Sequence, residues 1–419
     1  MKREKSLTIR RLSLVTLVLT TVVATLLQFG WTSAPTPAFA IPTAAAKTLK
    51  VALNNSLTWP LGVNFAQGVQ IDVDAINKAG GLQIGQDKYD IQISVDENNL
   101  DAAGAKTAAQ KEIFKDGVKF ILGDRMAENY VSLTEANKVL LIGSVATNGL
   151  YNPSYKYCFE GLCSHTSWVA VLGWFVNKFP TAKTYVGAFQ DNAQGHGYGD
   201  TFSAATKALG LQVLDAIYYP PTATDLSAVG TRVKILNPDL FSPAGANPQT
   251  DSLLYKVVYQ AGYKGQRLGC SPAAGAVMMG LAGKDAAEGF VGIGWPTEFD
   301  PPPTPVAKEW RAAYIAKFGK WDYPDPVYVA NWYMLKAALQ KAGSIDPDKV
   351  AAVLVNGMKF EAPNGLGQMV PRPDLGNSRT VDVIFAMPIK QIVGGQVKQI
   401  DTMTLEQQLN WLKTIYGWR

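Results

Sequence analysis

Apolar positions along the chain alternate between two rhythms. "KTLKVAL" (47–53) is β-rich, and "NFAQGVQIDVDAINK" (64–78) then spaces Phe65, Val69, Val73 and Ile76 three or four apart, one helical stripe. Gly80-Gly81 is the expected stop for that helix. "YDIQISVD" alternates as a strand does, "AAGAKTAAQKEIFKD" is Ala-rich and helical, and "VKFILGD" predicts a buried strand. A helix around 130–137 leads into "LLIGSVATNG" (140–149), a buried strand that breaks off into small and polar residues.

The alternation restarts after about residue 160. Strands are predicted at "KTYVGAF", "LQVLDAIYY", "PDLFSP", "QRLGC" and "EGFVGIG", with helical patterns between them. Strand–helix–strand units of this length favour a parallel sheet with right-handed crossovers. Two such series predict two doubly wound α/β lobes with a cleft between them. Ligands of such sheets bind at the carboxyl ends of strands, and the turn at 143–149 stands at such an end. Beyond the proline-stiffened "FDPPPTP" (299–305), helices are expected at about 305–318 and 327–342. "NGLGQMVPRPDLGN" (364–377) reads as loop, "RTVDVIFAMPIKQIVGGQVKQI" as strands turning at Gly394-Gly395, and "LEQQLNWLKTIYGWR" as a docking helix.

The first forty residues stand apart. A basic "MKREKSLTIRR", an apolar "LSLVTLVLTTVVATLL" and small residues ending in Ala38-Phe39-Ala40 follow the order of an export signal cleaved near Ala40. The alternative is a retained membrane anchor. Arg10-Arg11 matches only part of a twin-arginine signal. No cysteine precedes Cys158, which argues against a lipoprotein, and the expected destination is the periplasm. Residues 1–40 carry five Lys/Arg and one Glu, so most of the formal +5 belongs to this segment. The remainder is close to neutral and gives no argument for nucleic acid. In an oxidising compartment Cys158 and Cys163 are placed to close a short loop; reduced thiols and pairing with Cys270 stay open.

Candidate chemistry is sparse. "GHGYG" (195–199) lacks G-x-G-x-x-G spacing, "GLAGKD" is no P-loop and "GCSPA" is no nucleophile elbow. His165 and His196 are the only imidazoles, and they are not spaced with the cysteines for zinc. The sequence therefore offers a cleft with no catalytic residue, metal site or cofactor.

The order of segments from "GVQIDVDAINKAGGLQIGQDKYDIQISVDENNLDAAGAKTAAQKEIFKDGVKFILGD" through "LLIGSVATN", the aromatic-rich stretch 166–179, "QGHGYGDTF", "AAEGFVG" and "YVANWYMLKAALQKAGSID" resembles the leucine/isoleucine/valine-type periplasmic binding proteins, the solute receptors of branched-chain amino-acid-type ABC importers. The resemblance covers nearly all of 48–390. It implies a type I fold with two doubly wound parallel-sheet lobes joined by a three-strand hinge. Lobe one would hold 48–160 and 296–360, lobe two 161–295 and 361–390, with 391–419 as a C-terminal extension. It also implies a monomer that captures a small molecule and passes it to ABC importer permease subunits. An amino-acid-binding protein and a ligand-sensing ectodomain are the alternatives.

By the same resemblance, the ligand carboxylate meets two loops of the first lobe. One follows "FILGD" and contains Arg125, Met126 and Ala127. The other is the opening turn, with Ser144, Val145, Ala146 and Thr147, the last falling on the family's ligand-binding threonine. Turn amides offer donors and partial positive charge to an anion. The departures bear on the ligand. Ala127 replaces a serine, Gln194 replaces the tyrosine opening Y-G-x-G, and Ser271-Pro272-Ala273 stands where an acid pairs with the ligand ammonium. An ammonium buried without a carboxylate is costly, which favours a carboxylate, amide or aromatic acid over an α-amino acid. Arg125 is a candidate bidentate partner for a carboxylate or an interlobe ion pair. Glu160, near the hinge, meets either a ligand cation or hydroxyl, or a basic side chain. Trp59 and Tyr328 are candidate pocket walls, while Trp168, Trp174 and Trp332 are assigned to packing.

Overall fold

A computed structural model describes residues 46–244, 248–375 and 381–418; the expected export signal lies outside the described residues. The first sheet contains β1 (Lys47–Asn55), β2 (Leu82–Ile84), β3 (Asp87–Glu97), β4 (Phe120–Gly123), β5 (Leu140–Gly143) and β6 (Cys158–Glu160), in the order β2-β3-β1-β4-β5-β6. All pairings are parallel except the β2–β3 hairpin. β1 lies between β3 and β4, so its last five residues are fully buried. The predicted stripe turns Phe65, Val69 and Val73 of the helix Pro60–Lys78 into this core, and Gly80 and Gly81 take the positive φ values that a helix stop needs. The Ala-rich helix Ala102–Gln110 continues into a π-helical turn, Lys111–Lys115, which buries Glu112.

The second sheet is built from β7 (Thr184–Gln190), β8 (Gln212–Tyr219), β9 (Leu240–Pro243), β10 (Gln266–Gly269) and β11 (Val291–Ile293), joined parallel in the order β11-β10-β9-β7-β8. A small antiparallel sheet of β12 (Lys359–Ala362), β13 (Gly365–Pro371) and β14 (Val381–Phe385) follows. The loop expected at 364–377 is corrected here, because β13 is the central strand of that sheet. Its glycines are packing residues: a Cβ on Gly367 would stand 2.6 Å from the Phe360 ring and 2.8 Å from the Phe385 ring. β15 (Met387–Val393) and β16 (Gln396–Met403) then add antiparallel strands to the β11 edge of the second sheet. Residues 391–419, expected as an extension, thus supply the end of β15, all of β16 and the helix Leu405–Tyr416. That helix starts in a Thr404–Gln407 capping box and packs on the helix Ser167–Lys178.

The chain crosses between the two lobes three times: from the first sheet after β6, from the second sheet after β11 into helices packed on the first lobe and the small sheet, and back to the second sheet at Ala386 between β14 and β15. The largest buried cluster runs through these passages, from Leu49 and Phe65 to Trp332, Leu240 and Ile389. The local disulfide considered for Cys158 and Cys163 is not formed. Cys158 packs with Val139 and Leu141 in one cluster and Cys163 joins the main core in another, so the two thiols are held apart.

Candidate ligand-binding cleft

The loops at the carboxyl ends of β1 and β4 are tied to one another by Asp124. This buried carboxylate accepts hydrogen bonds from the Ser56 amide (3.3 Å), the Met126 amide (2.9 Å) and Asn98 Nδ2 (3.0 Å). Burial pushes its pKa up, and the amide and Asn98 donors oppose that shift. The tie brings Arg125 against Trp59, with the guanidinium 4.2 Å from the indole centroid. Trp59 in turn lies 5.6 Å from the ring of Tyr328, whose hydroxyl senses the Arg125 charge. Arg125 Nε is buried and has no hydrogen-bond partner among the described residues.

From the second lobe, Tyr198 closes on the same place. It is buried, senses the charges of Arg125 and Glu160, and stacks on Trp168 with centroids 6.1 Å apart. Trp168 Nε1 is a second buried donor without a partner among the described residues. Trp168 packs in the main buried cluster, as expected, with this donor left unpaired there. The helix Ala193–Ala208 that carries Tyr198 also touches the opening turn, since a Cβ on Gly197 would stand 3.1 Å from the Ala146 carbonyl. The two lobes meet across this contact.

The turn after β5 is held from within. Ser144 Oγ exchanges hydrogen bonds with the buried Asn331 side chain, and the Val145 amide donates to Glu160 at 3.2 and 3.3 Å. Thr147 Oγ1 donates to Glu128 and accepts from the Gly149 amide at 3.2 Å, so its proton is directed at a neighbour. Ala127 and Val145 are buried with Tyr130 in the core behind the loop, and Ala146 is 2 % exposed in the main core. Glu160 is buried and takes the Leu162 amide (2.8 Å) besides Val145, with backbone donors where a basic side chain was considered. Burial and the nearby Asp382 push its pKa well up. The structure thus gathers Trp59, Arg125 and Tyr328, keeps Met126 and Gln194 half-buried nearby on the loop and first helical turn, and uses Ser144, Val145 and Glu160 as supports.

Ser271 leads to a residue that spacing did not reveal. Its Oγ donates at 2.8 Å to Asp251, whose other oxygen is buried and unpartnered among the described residues. Asp251 sits in the first turn of the helix Pro248–Gln260, twenty residues upstream, and burial raises its pKa to about 7. A cavity of about 360 Å³ opens beside this region between Trp59 and Asn64 of the first lobe, Thr250 and Val277 of the second, and Trp295 and Asp325 of the connecting segments. That volume lies within the ~300–1,000 Å³ range of small-molecule sites.

Two α/β lobes, three passages between them and a cleft of buried donors at facing strand ends define a two-lobed solute receptor. The chain belongs to the periplasmic binding protein family, whose sequence pattern matches residues 52–386. It is 26% identical over 352 residues to the leucine-, isoleucine-, valine-, threonine- and alanine-binding protein of Pseudomonas aeruginosa, covering 81% of this chain and 90% of that one. A Leu/Ile/Val-binding protein of Rhizobium johnstonii is also 26% identical over 340 residues, covering 77% and 86%. The fold is shared with a leucine-binding protein of Thermotoga maritima at TM-score 0.66 and 20% identity, covering 86% of this chain and 99% of that one. It is also shared with a solute-binding protein of Rhodopseudomonas palustris solved with 3,4-dihydroxybenzoic acid, at TM-score 0.65 and 21% identity, covering 85% and 97%. The type I fold and the receptor role follow from this membership. Among the described residues, no helix is long and apolar enough to cross a membrane.

Proposed function

We propose that the chain captures a small carboxylate, an aromatic acid above all, and hands it unchanged to the permease of an ABC importer. One observation carries the carboxylate: Arg125 Nε and Trp168 Nε1 are buried donors without partners among the described residues, Trp168 stacked on Tyr198 and Arg125 near enough for Tyr198 to sense its charge. Buried donors left unpaired cost about 1–3 kcal/mol each, and a bound carboxylate removes that cost while gaining charge-assisted bonds. The relatives bear both on this reading and on its alternative. The curated ones are named for aliphatic amino acids, whereas one structural neighbour is complexed with 3,4-dihydroxybenzoic acid and another with benzoate.

The lobes are 48–160 with 296–360 and 161–295 with 361–390, the second continued by β16 and the helix Leu405–Tyr416, hinged at the three passages and closing on the ligand. The protein works as an exported monomer in the periplasm, with the segment near Ala40 as its cleavage point. Asp251 favours a second reading, an α-amino acid whose ammonium meets this acid from the second lobe. A thermal-shift series on the purified protein separates the two, because a ligand that binds only the folded state raises the unfolding midpoint. Benzoate-type acids that raise the midpoint, with no response to leucine or valine, support the first reading. The reverse pattern overturns it.

A further inference from the structure

The cavity beside Trp59 is not the place where Arg125 and Trp168 present their donors, and its chemistry differs. Its walls are aromatic: Trp59 and Trp295, with Trp321 and Tyr323 from the segment before Tyr328. Two carboxylates line it. Glu298 is matched by Lys390 Nζ at 2.7 and 2.9 Å and accepts the Gly275 amide at 2.9 Å, so it adds no free charge. Asp325 differs. Its Oδ1 takes Trp295 Nε1 (2.8 Å) and the Val327 amide (2.9 Å), while no donor among the described residues reaches Oδ2. Asp325 is half-buried, so this oxygen is an acceptor open to the cavity.

The charges around the cavity decide what kind of donor suits it. Arg125 stacks on Trp59, and Arg311 stacks on Trp321 with its guanidinium 5.0 Å from the ring. The π-faces of both tryptophans are therefore engaged by fixed cations, and a third cation meets repulsion there. A neutral ring packs without that cost. Trp59 joins the two ends of the cleft, since its ring lines the cavity and carries the Arg125 guanidinium 4.2 Å from its centroid. One short molecule can span them.

We infer that the cavity receives the distal ring of the ligand, and that Asp325 Oδ2 accepts a hydrogen bond from a hydroxyl on that ring, making the preferred ligand a hydroxylated aromatic acid. The inference rests on the carboxylate reading above and adds a second specificity determinant to it. Burial raises the Asp325 pKa to about 7, so above that pH the hydroxyl meets a charged acceptor, a bond worth about 1.5–3 kcal/mol or roughly ten- to hundredfold in affinity.

The test is calorimetric titration of the full chain with benzoate and 3-phenylpropanoate, each with and without a 4-hydroxyl. The expected result is a hydroxyl preference of about tenfold or more for at least one pair, reduced to less than about threefold in Asp325→Asn. Val277→Trp, which fills the cavity from the second lobe, is expected to weaken the hydroxylated acids as well; circular dichroism melts establish that both variants are folded. If the acids bind and Arg125→Met abolishes binding, but the hydroxyl preference is absent or persists in Asp325→Asn, the cavity assignment is overturned and the carboxylate reading stands. If none of the acids binds while leucine does, the carboxylate reading falls and takes the cavity assignment with it.

Discussion

Replacing Arg125 by methionine tests the cleft most directly, because binding and stability should respond in opposite proportion. Methionine keeps the length and apolar stem of the side chain and can still lie on the Trp59 ring. It removes the guanidinium, whose Nε is buried without a partner among the described residues and whose ring contact is 4.2 Å. In the free protein, the lost cation–π contact costs about 0.5–1 kcal/mol. Relief of the unpartnered Nε offsets most of this, so the net change in stability should stay within about 1 kcal/mol. With a carboxylate bound, the variant loses two charge-assisted bonds of about 1.5–3 kcal/mol each, a weakening on the order of a hundredfold or more. Titration calorimetry with the tightest acid reads the first quantity, and urea unfolding of the free protein reads the second. An affinity within threefold of wild type, with the variant folded, would refute the assignment of Arg125 to the ligand.

Three further outcomes follow from the packing. Gly197→Leu places a side chain where even a Cβ lies 3.1 Å from the Ala146 carbonyl. It should hold the lobes apart, so that ligand fails to shrink the radius of gyration in solution scattering while helix content is retained. Lys390→Met strands the buried Glu298 without its cation and should cost about 3–5 kcal/mol in urea unfolding; adding Glu298→Gln should recover part of that loss. Glu112, buried in the π-helical turn, has its pKa raised to about 8 by burial and then by Asp96, well above an unfolded value near 4.5. The folded state holds this proton more tightly, so the associated stability is fully present below about pH 4.5 and is lost as pH rises through 8. Glu112→Gln should therefore gain on wild type progressively across that window, and equal pH profiles for the two proteins would contradict the burial argument.

The alternation of apolar periods was enough to place most strands of both large sheets and the helices between them, though not the three-residue strands β2 and β6, because burial on both faces of a parallel sheet leaves a continuous apolar run that few other structures share. Departures at 127, 194 and 271–273 were legible only through the resemblance, against the family's pattern in each segment. Side-chain direction was not. Ala127 and Val145 sit in loops that border the cleft, yet they turn into the core, and Thr147 directs its proton at Glu128. The strand β13 was hidden because glycines kept small by the Phe360 and Phe385 rings look like loop composition until those rings are in place.

By itself, then, the sequence determined the two lobes, the order of their elements and which strand ends face each other, since local periodicity carries all of these. Tertiary structure alone decided the chemistry of the cleft. Ser144 finds Asn331 187 residues away, Ser271 finds Asp251, and Trp59 comes to share Arg125 and Tyr328. Hydrogen-bond partners form across space after the sheets have packed, and no spacing along the chain encodes which buried donor will be left without one.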